Sequence, residues 1–427
     1  MSGVVPPGYK QTEVGVIPED WDVVKLGDLS ETSSGTTPSR SQQERYFDNG
    51  STAWVKTLDL NNSYIFSTDE TITELALKET SLRCFPVDTV LVAMYGGFNQ
   101  IGRTGLLKTS ATVNQAITAI KPDKRKLVSD YLLRNLNYRI DYWKSVASSS
   151  RKDPNITGKD VRDYLIAVPS VTEQQRIAEA LSDADALIEG LGQLVSKKLE
   201  VKQGAMQELL SGNARLYGFS KSWEEKTFGT VFDFYPTATN ARSDLSSEGT
   251  ASYVHYGDIH TKFHSHLDFS RSKLPQIDRR LCKNAALLQN GDWIMADASE
   301  DFDGVGKSVE VAGLGRDEAA VSGLHTFLLR EKRPTFAPVF KGHLGNLKSL
   351  HNQFLKVTTG MKVFGVSKTA LKDLTLSIPD WEEQTAIASI LSDMDAEIAG
   401  LEVKLGKARR VKEGMMQDLL TGKVRLV

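Results

Sequence analysis

The sequence predicts an α/β (α+β) chain: two mixed α/β domains separated by two long helices that pair as an antiparallel coiled coil, in a pseudo-two-fold internal repeat. Three observations carry this reading. A central stretch recurs without a gap at the C-terminal end. Both copies show apolar residues at heptad spacing. The segments before each copy hold short apolar runs bounded by turn residues. The boundaries implied are 1–168 for the first domain, 169–216 for the central helix, 217–378 for the second domain and 379–427 for the C-terminal helix.

The repeat is the firmest element. From Pro169 and from Pro379 the two copies align at one offset, 383 − 173 = 210 for Glu383 and Glu173 and 426 − 216 = 210 for Leu426 and Leu216. Ser182-Asp183-x-Asp185 returns as Ser392-Asp393-x-Asp395, and Met206-Gln207-x-Leu209-Leu210 as Met416-Gln417-x-Leu419-Leu420. Each copy follows a proline, which cannot continue a preceding helix. Each then offers a capping box, Ser170 with Glu173 and Asp380 with Glu383. Each stops at a glycine, Gly212 or Gly422, the residue type that accepts a left-handed turn past a helix end. Between these limits Ile177, Leu181, Ala184, Ile188, Leu191 and Val195 step by four and three, as do Ile387, Leu391, Met394, Ile398, Leu401 and Leu405. That is a coiled-coil seam, and about 40 residues at 1.5 Å rise make a rod of roughly 60 Å.

The domains before the helices are less alike. Strand-like runs include Thr89 to Met94 and Trp293 to Ala296, and Ser129 to Lys144 reads as a helix. Anchor points recur in order: Trp21 and Trp223; Asp88 and Asp292 before an apolar strand; Ile101-Gly102-Arg103-Thr104 and Val305-Gly306-Lys307-Ser308; the helix starts Ile156-Thr157 and Val366-Ser367. Like helices and unlike domains fit one scaffold serving two different recognition tasks.

Composition sets outer limits. A chain of 427 residues with 40% hydrophobic content can build real cores. No apolar run approaches a membrane span. The opening MSGVVPPGYKQTEVGVIPEDW has no basic segment followed by an apolar core, so it does not read as a secretory signal. Two distant cysteines, Cys84 and Cys282, make no disulfide framework, and a cytoplasmic location is expected. The formal net charge of −2 is not the footprint of a simple DNA-binding protein. It leaves much phosphate neutralisation to partners.

Catalytic constellations are missing. Gly306-Lys307-Ser308 resembles the end of a phosphate-binding loop, but the required earlier glycine is Asp301, and a carboxylate there repels phosphate. All seven histidines lie between His255 and His351. His260-x3-His264-x-His266 lacks a cysteine or carboxylate at zinc-site spacing, so no metal is expected. No nucleophile elbow appears.

Several loops combine glycine with hydroxyl, amide and basic groups. Glycine lets backbone approach a groove, Arg, Asn and Gln discriminate bases, and Lys and hydroxyls suit phosphates. In the first domain the DNA-contact candidates are Thr36, Thr37, Ser39 and Arg40, then Lys56, then Tyr95, Asn99, Gln100 and Arg103, then Arg151 and Lys152. In the second they are Thr237, Asn240 and Arg242, then Tyr256, His260, Lys262 and His264, then Lys307 and Lys362. Taken one at a time, each loop is equally an ordinary polar turn. A duplicated DNA-binding regulator and a nucleotide-dependent enzyme using Gly306-Lys307-Ser308 stay open at this level.

The chain resembles a type I restriction-modification specificity (S) subunit. The resemblance rests on Tyr9-Lys10-Gln11-Thr12-Glu13 with Gly15 and Ile17-Pro18-Glu19-Asp20-Trp21, and on the SGTTPSR loop followed by Trp54-Val55-Lys56-Thr57-x-Asp59-Leu60. It also rests on the paired Pro-x3-Glu-Gln helices and on Tyr256-Gly257-Asp258-Ile259-His260. It implies a non-catalytic subunit with two target-recognition domains, each reading one half of a bipartite double-stranded DNA sequence. It implies helices that set the gap and dock two adenine-N6 methyltransferase subunits, joined by restriction-translocase subunits. S-adenosylmethionine, ATP and magnesium would then belong to those partners, and no cofactor to this chain.

Overall fold

The computed structural model describes residues 5–97, 99–148, 155–263, 265–301, 304–360 and 362–427. The chain divides into two compact units. One comprises residues 1–192 with 403–427, the other residues 193–402. Each therefore takes one α/β domain and a segment of both long helices.

In the first unit a five-stranded sheet runs in the order Ser30–Ser34, Ile117–Pro122, Val90–Ala93, Thr104–Leu107, Ser63–Ile65. Only the last pair is parallel. Val90–Ala93 is buried at every position, as its unbroken apolar run requires. A three-stranded sheet places Thr52–Val55 between Ala111–Val113, parallel, and Glu70–Ile72, antiparallel. The second unit repeats this plan. Its five strands run Phe232–Tyr235, Thr326–Glu331, Trp293–Ala296, Ser308–Ala312, His266–Asp268, again with only the last pair parallel. Its three-stranded sheet centres on Ala251–Val254. The two domains thus share a topology that their sequences barely show.

The entry and exit of each domain are stitched together. Asp22–Lys25 pairs antiparallel with Leu165–Val168, and Glu224–Thr227 with Thr375–Ile378. The chain leaves each exit strand straight into a long helix, Val171–Ser211 or Trp381–Leu420. Both helices end at the expected glycines, Gly212 at φ 75° and Gly422 at φ 71°. The stretch read as one helix from Ser129 is two, Ser129–Tyr138 and Ile140–Ser148. Arg139 leaves helical geometry between them and donates to the Leu165 carbonyl at 2.9 Å, a tertiary bond that outweighs one more helical turn.

Within each unit the helix segments run antiparallel. In the first, Glu173 meets Arg425 and Asp185 meets Lys412. In the second, Lys198 meets Glu397 at 2.7 Å, Lys202 meets Asp395, and Arg215 meets Glu383. The seam residues lie inward: Ile177, Leu181, Val195, Ile387, Leu391 and Ile398 are buried, and Ile188, Leu191, Leu401 and Leu405 half-buried.

The capping box forms in only one direction. The Ser170 hydroxyl and the Asp380 carboxylate accept the backbone N–H of Glu173 and Glu383 at 3.2 and 2.9 Å. The glutamates themselves turn to a tryptophan and an arginine. Glu173 accepts from Trp21 Nε1 at 3.2 Å and from Arg425 at 2.7 and 2.9 Å. Glu383 accepts from Trp223 Nε1 at 3.0 Å and from Arg215 at 2.6 and 2.7 Å. The neighbouring glutamines are equally fixed. Gln174 accepts from Val128 N at 2.8 Å and donates to Lys126 O and Pro169 O. Gln384 accepts from Ala337 N at 2.8 Å and donates to Thr335 O and Pro379 O. The Glu-Gln pair therefore bolts each domain to its helix segment, and that explains why it recurs.

Candidate nucleic-acid interface

In both units a cluster of candidate cations lies beside the central strand of the three-stranded sheet. In the first, that strand ends at Val55 and Lys56 follows. Glu70 opens the neighbouring strand and takes two cations, Arg40 at 2.7 Å on one oxygen and Lys56 at 2.7 Å on the other. Those contacts, the Lys56 hydrogen bond foremost, hold the Glu70 carboxyl below the usual range against the opposing effect of burial. The Arg40 guanidinium lies over Phe47 at 4.2 Å and Trp54 at 5.0 Å. A planar donor fork fixed by stacking and a carboxylate loses little freedom on binding. The loop before it is tied down: Thr36 N donates to Val113 O at 3.0 Å, and the Thr36 hydroxyl pairs with Ser81 at 3.2 Å. Gly35 is required there, since a Cβ would sit 2.1 Å from the Val113 carbonyl.

In the second unit the strand ends at Val254, and a short helix, Tyr256–Thr261, follows with the His255 side chain accepting from Gly257 N. Asp258, 1% exposed, takes Lys262 at 2.8 Å and Arg242 at 3.6 Å. Again one carboxylate holds two candidate cations. Around it the rings of His255, His260 and His325 lie 4.6, 5.8 and 5.6 Å from Tyr256. Burial holds His255 and His260 below the ordinary histidine range; the nearby Arg242 cation adds to this for His255, and a hydrogen bond with the Ala298 backbone opposes it for His260. These rings are therefore neutral near pH 7, with one donor and one acceptor each. Burial raises the Asp297 carboxyl, against the pull of His325 at 3.4 Å.

The other candidates sit elsewhere on the same frames. Tyr95, Asn99 and Gln100 lie on the loop leaving Val90–Ala93, and the Asn99 carbonyl accepts from Arg103 Nε at 3.1 Å. Gly96, at φ 123°, packs against Gln100 where a Cβ would meet Oε1 at 2.1 Å. Thr37 is half-buried, and the exposed Ser39 hydroxyl pairs with that of Ser41 at 2.8 Å. Thr237 donates to Thr326 O at 3.4 Å, and the Asn240 carbonyl accepts from Tyr253. Lys307 is half-buried and Lys362 exposed. Arg151, Lys152 and His264 lie outside the described residues.

Gly306-Lys307-Ser308 is a tight turn. Gly306 has φ 81° and its missing Cβ would press Phe354 at 2.7 Å; Gly102 has φ 75° and would press Trp143 at 2.7 Å. The same turn serves both domains as a packing element. Among the described residues no group of three His, Cys, Asp or Glu could hold a metal ion, and no helix is long and apolar enough to cross a membrane.

The sequence profile of the type I restriction modification DNA specificity domain matches residues 18–197 and 315–405. The chain belongs to this family. A specificity subunit of the MjaIX restriction enzyme of Methanocaldococcus jannaschii is 38% identical over 186 residues, 42% of this chain and 41% of that protein. The match thus spans less than half of that relative. The crystal structure of a type I S subunit from M. genitalium superposes with a TM-score of 0.56 at 14% identity, over 97% of this chain and 98% of that one. A structure reported for complex assembly and conformational transition of the type I R-M system gives 0.58 at 15% identity, over 96 and 99%. These likenesses establish the fold of a specificity subunit.

Sequence reading missed the acids and part of the ring cluster of this specificity subunit. Glu70 carries no local signal, because sheet pairing alone brings it to Arg40 and Lys56. Asp258 was visible within Tyr256-Gly257-Asp258-Ile259-His260, but not as the holder of Arg242. His325, at φ 57°, reaches Tyr256 and meets Asp297 through strand pairing.

Proposed function

We propose that the chain is the DNA sequence-specificity subunit of a type I restriction-modification complex, each domain reading one half of a bipartite double-stranded target. One observation carries this. Two domains of one topology and divergent sequence each present an arginine and a lysine beside a single carboxylate near the C-terminal end of the central strand of the three-stranded sheet. A common frame with different polar surroundings is what two half-sites of different sequence demand.

The long helices supply the spacing between half-sites and dock two adenine-N6 methyltransferase subunits. Support for docking comes from large apolar side chains exposed along them, Leu187, Leu194, Leu199, Val201, Val403 and Val411. Chemistry belongs to the partners: S-adenosylmethionine with the methyltransferases, ATP and magnesium with restriction-translocase subunits, all in the cytoplasm. The near-neutral net charge fits a subunit whose partners share the phosphate contacts.

Exchange of residues 1–150 for the corresponding segment of another specificity subunit tests the reading. Methylation mapping with the cognate methyltransferase is expected to show one half-site changed and the other kept. A change in both halves overturns it. Inserting four residues in each long helix, about one turn, is expected to lengthen the tolerated gap with both half-sites unchanged; an unaltered gap removes the spacer role.

A further inference from the structure

The two segments of the helix pair are repeat mates, so a partner docking twice must bring the same surface to both. Their outer faces are not the same. In the first unit the helices leave a groove of about 570 Å³ between them, floored by Leu187, Leu191, Val411 and Met415. Leu187 is 58% and Val411 51% exposed, far more than packing between two helices requires. Ala184 and Ala408 also line it, and their small side chains leave it open.

At the offset of 210 residues, Ala184 becomes Met394, Leu187 becomes Glu397, and Ala408 becomes Lys198. In the second unit the larger Met394 packs against that unit's core. Lys198 and Glu397 form an ion pair at 2.7 Å at the position where the first unit is apolar. The same place on the duplicated scaffold is thus an apolar slot in one unit and a charged lid in the other.

We infer that the two docking sites for the methyltransferase subunit are inequivalent, the first-unit site being the tighter. This rests on the docking role proposed above. The occupant is an apolar side chain of the methyltransferase flanked by carboxylates. Lys404 and Lys407 on the groove rim are exposed and make no ion pair among the described residues, against one exposed acid, Asp183. In the first unit that side chain fills an open slot. In the second it must displace or cover Lys198 and Glu397, which are then desolvated without gain. One additional buried aliphatic contact separates the two affinities by roughly tenfold or more.

Titration of the full chain with purified methyltransferase subunit, followed by native mass spectrometry, tests this. Two well-separated dissociation constants are expected, with the one-to-one complex accumulating before the second subunit binds. Leu187→Glu with Ala408→Lys should merge both constants at the weaker value. Lys198→Ala with Glu397→Leu should merge them at the tighter one, so the test does not depend on a single variant. Two equal constants in the wild type, or a separation that both double variants leave intact, overturn the inference while leaving docking itself in place. Failure of the methyltransferase to bind at all overturns both.

Discussion

Glu173, in the first turn of one long helix, and Arg425, just past the end of the other, meet at the same end of the antiparallel pair in the first unit and form a bidentate ion pair, at 2.7 and 2.9 Å. Arg425 also grips Asp20 at 2.8 Å and lies 5.7 Å over the Trp21 ring. Tyr9 donates to the Gly422 carbonyl at 3.1 Å. The last residues of the chain thus close the domain formed by the first, just as Arg215, Glu383 and Trp223 close the second.

Because Glu173 is 1% exposed, Arg425→Ala leaves a buried carboxylate without its cation. Loss of one partner of such a pair costs about 3–5 kcal/mol; with Arg425 itself a quarter exposed, the low end is expected. Urea unfolding followed by tryptophan fluorescence checks this, and Arg215→Ala should act equally on the second unit. A change below about 0.5 kcal/mol would make both pairs surface decoration.

Gly102→Ala and Gly306→Ala should each destabilise by about 2 kcal/mol, since both glycines combine positive φ with a close aromatic neighbour. Lys307→Ala should leave stability unchanged. ATP titration of the isolated wild-type chain should give no heat. A saturable ATP isotherm lost in Lys307→Ala would restore the phosphate-loop reading.

His343 gives the second unit a pH dependence that the first lacks. It is fully buried, with both ring nitrogens free of hydrogen-bond partners among the described residues, and burial depresses its pKa to about 4. Asp395 opposes the shift, while Lys202 and His266 reinforce it. Counted from Gln174 and Gln384, whose backbone partners Val128 and Ala337 correspond, the matching position in the first unit is Arg134. Arg134 pairs with Asp185, which also holds Lys412. The unfolded imidazole protonates near 6.5 and the folded one only near 4, so the unfolded state binds more protons in this window. Stability therefore falls as pH drops from 6.5 towards 4, by up to roughly 3 kcal/mol. Thermal unfolding across this range should show that slope reduced in His343→Leu; an unchanged slope removes His343 as its source.

The legibility of the chain followed the range of the forces. The long helices were readable because heptad spacing, a preceding proline and a terminal glycine are local. The domain frames were readable only where a backbone demand forces a residue type, as at Gly102 and Gly306, or at the helix caps Thr157 and Ser367. The Glu173 signal was present but misassigned: its position fits a helix cap, whereas its carboxylate neutralises Arg425, 252 residues away. Arg40, Lys56, Arg242 and Lys262 were legible as cations. Glu70 and Asp258, which organise them, were not, since sheet register decides which strand ends meet.

Arg40 and Arg242 carry the central claim, that each domain reads its own half of one target. Each should contribute about 1–3 kcal/mol of discrimination at one base pair. The direct measurement is genome-wide methylation mapping of the chain assembled with its methyltransferase, comparing wild type with Arg40→Ala and Arg242→Ala. The account predicts relaxed sequence preference in one half-site for the first variant and in the other half-site for the second, with the gap unchanged in both. Relaxation of the same half-site by both variants, or of neither, would contradict it.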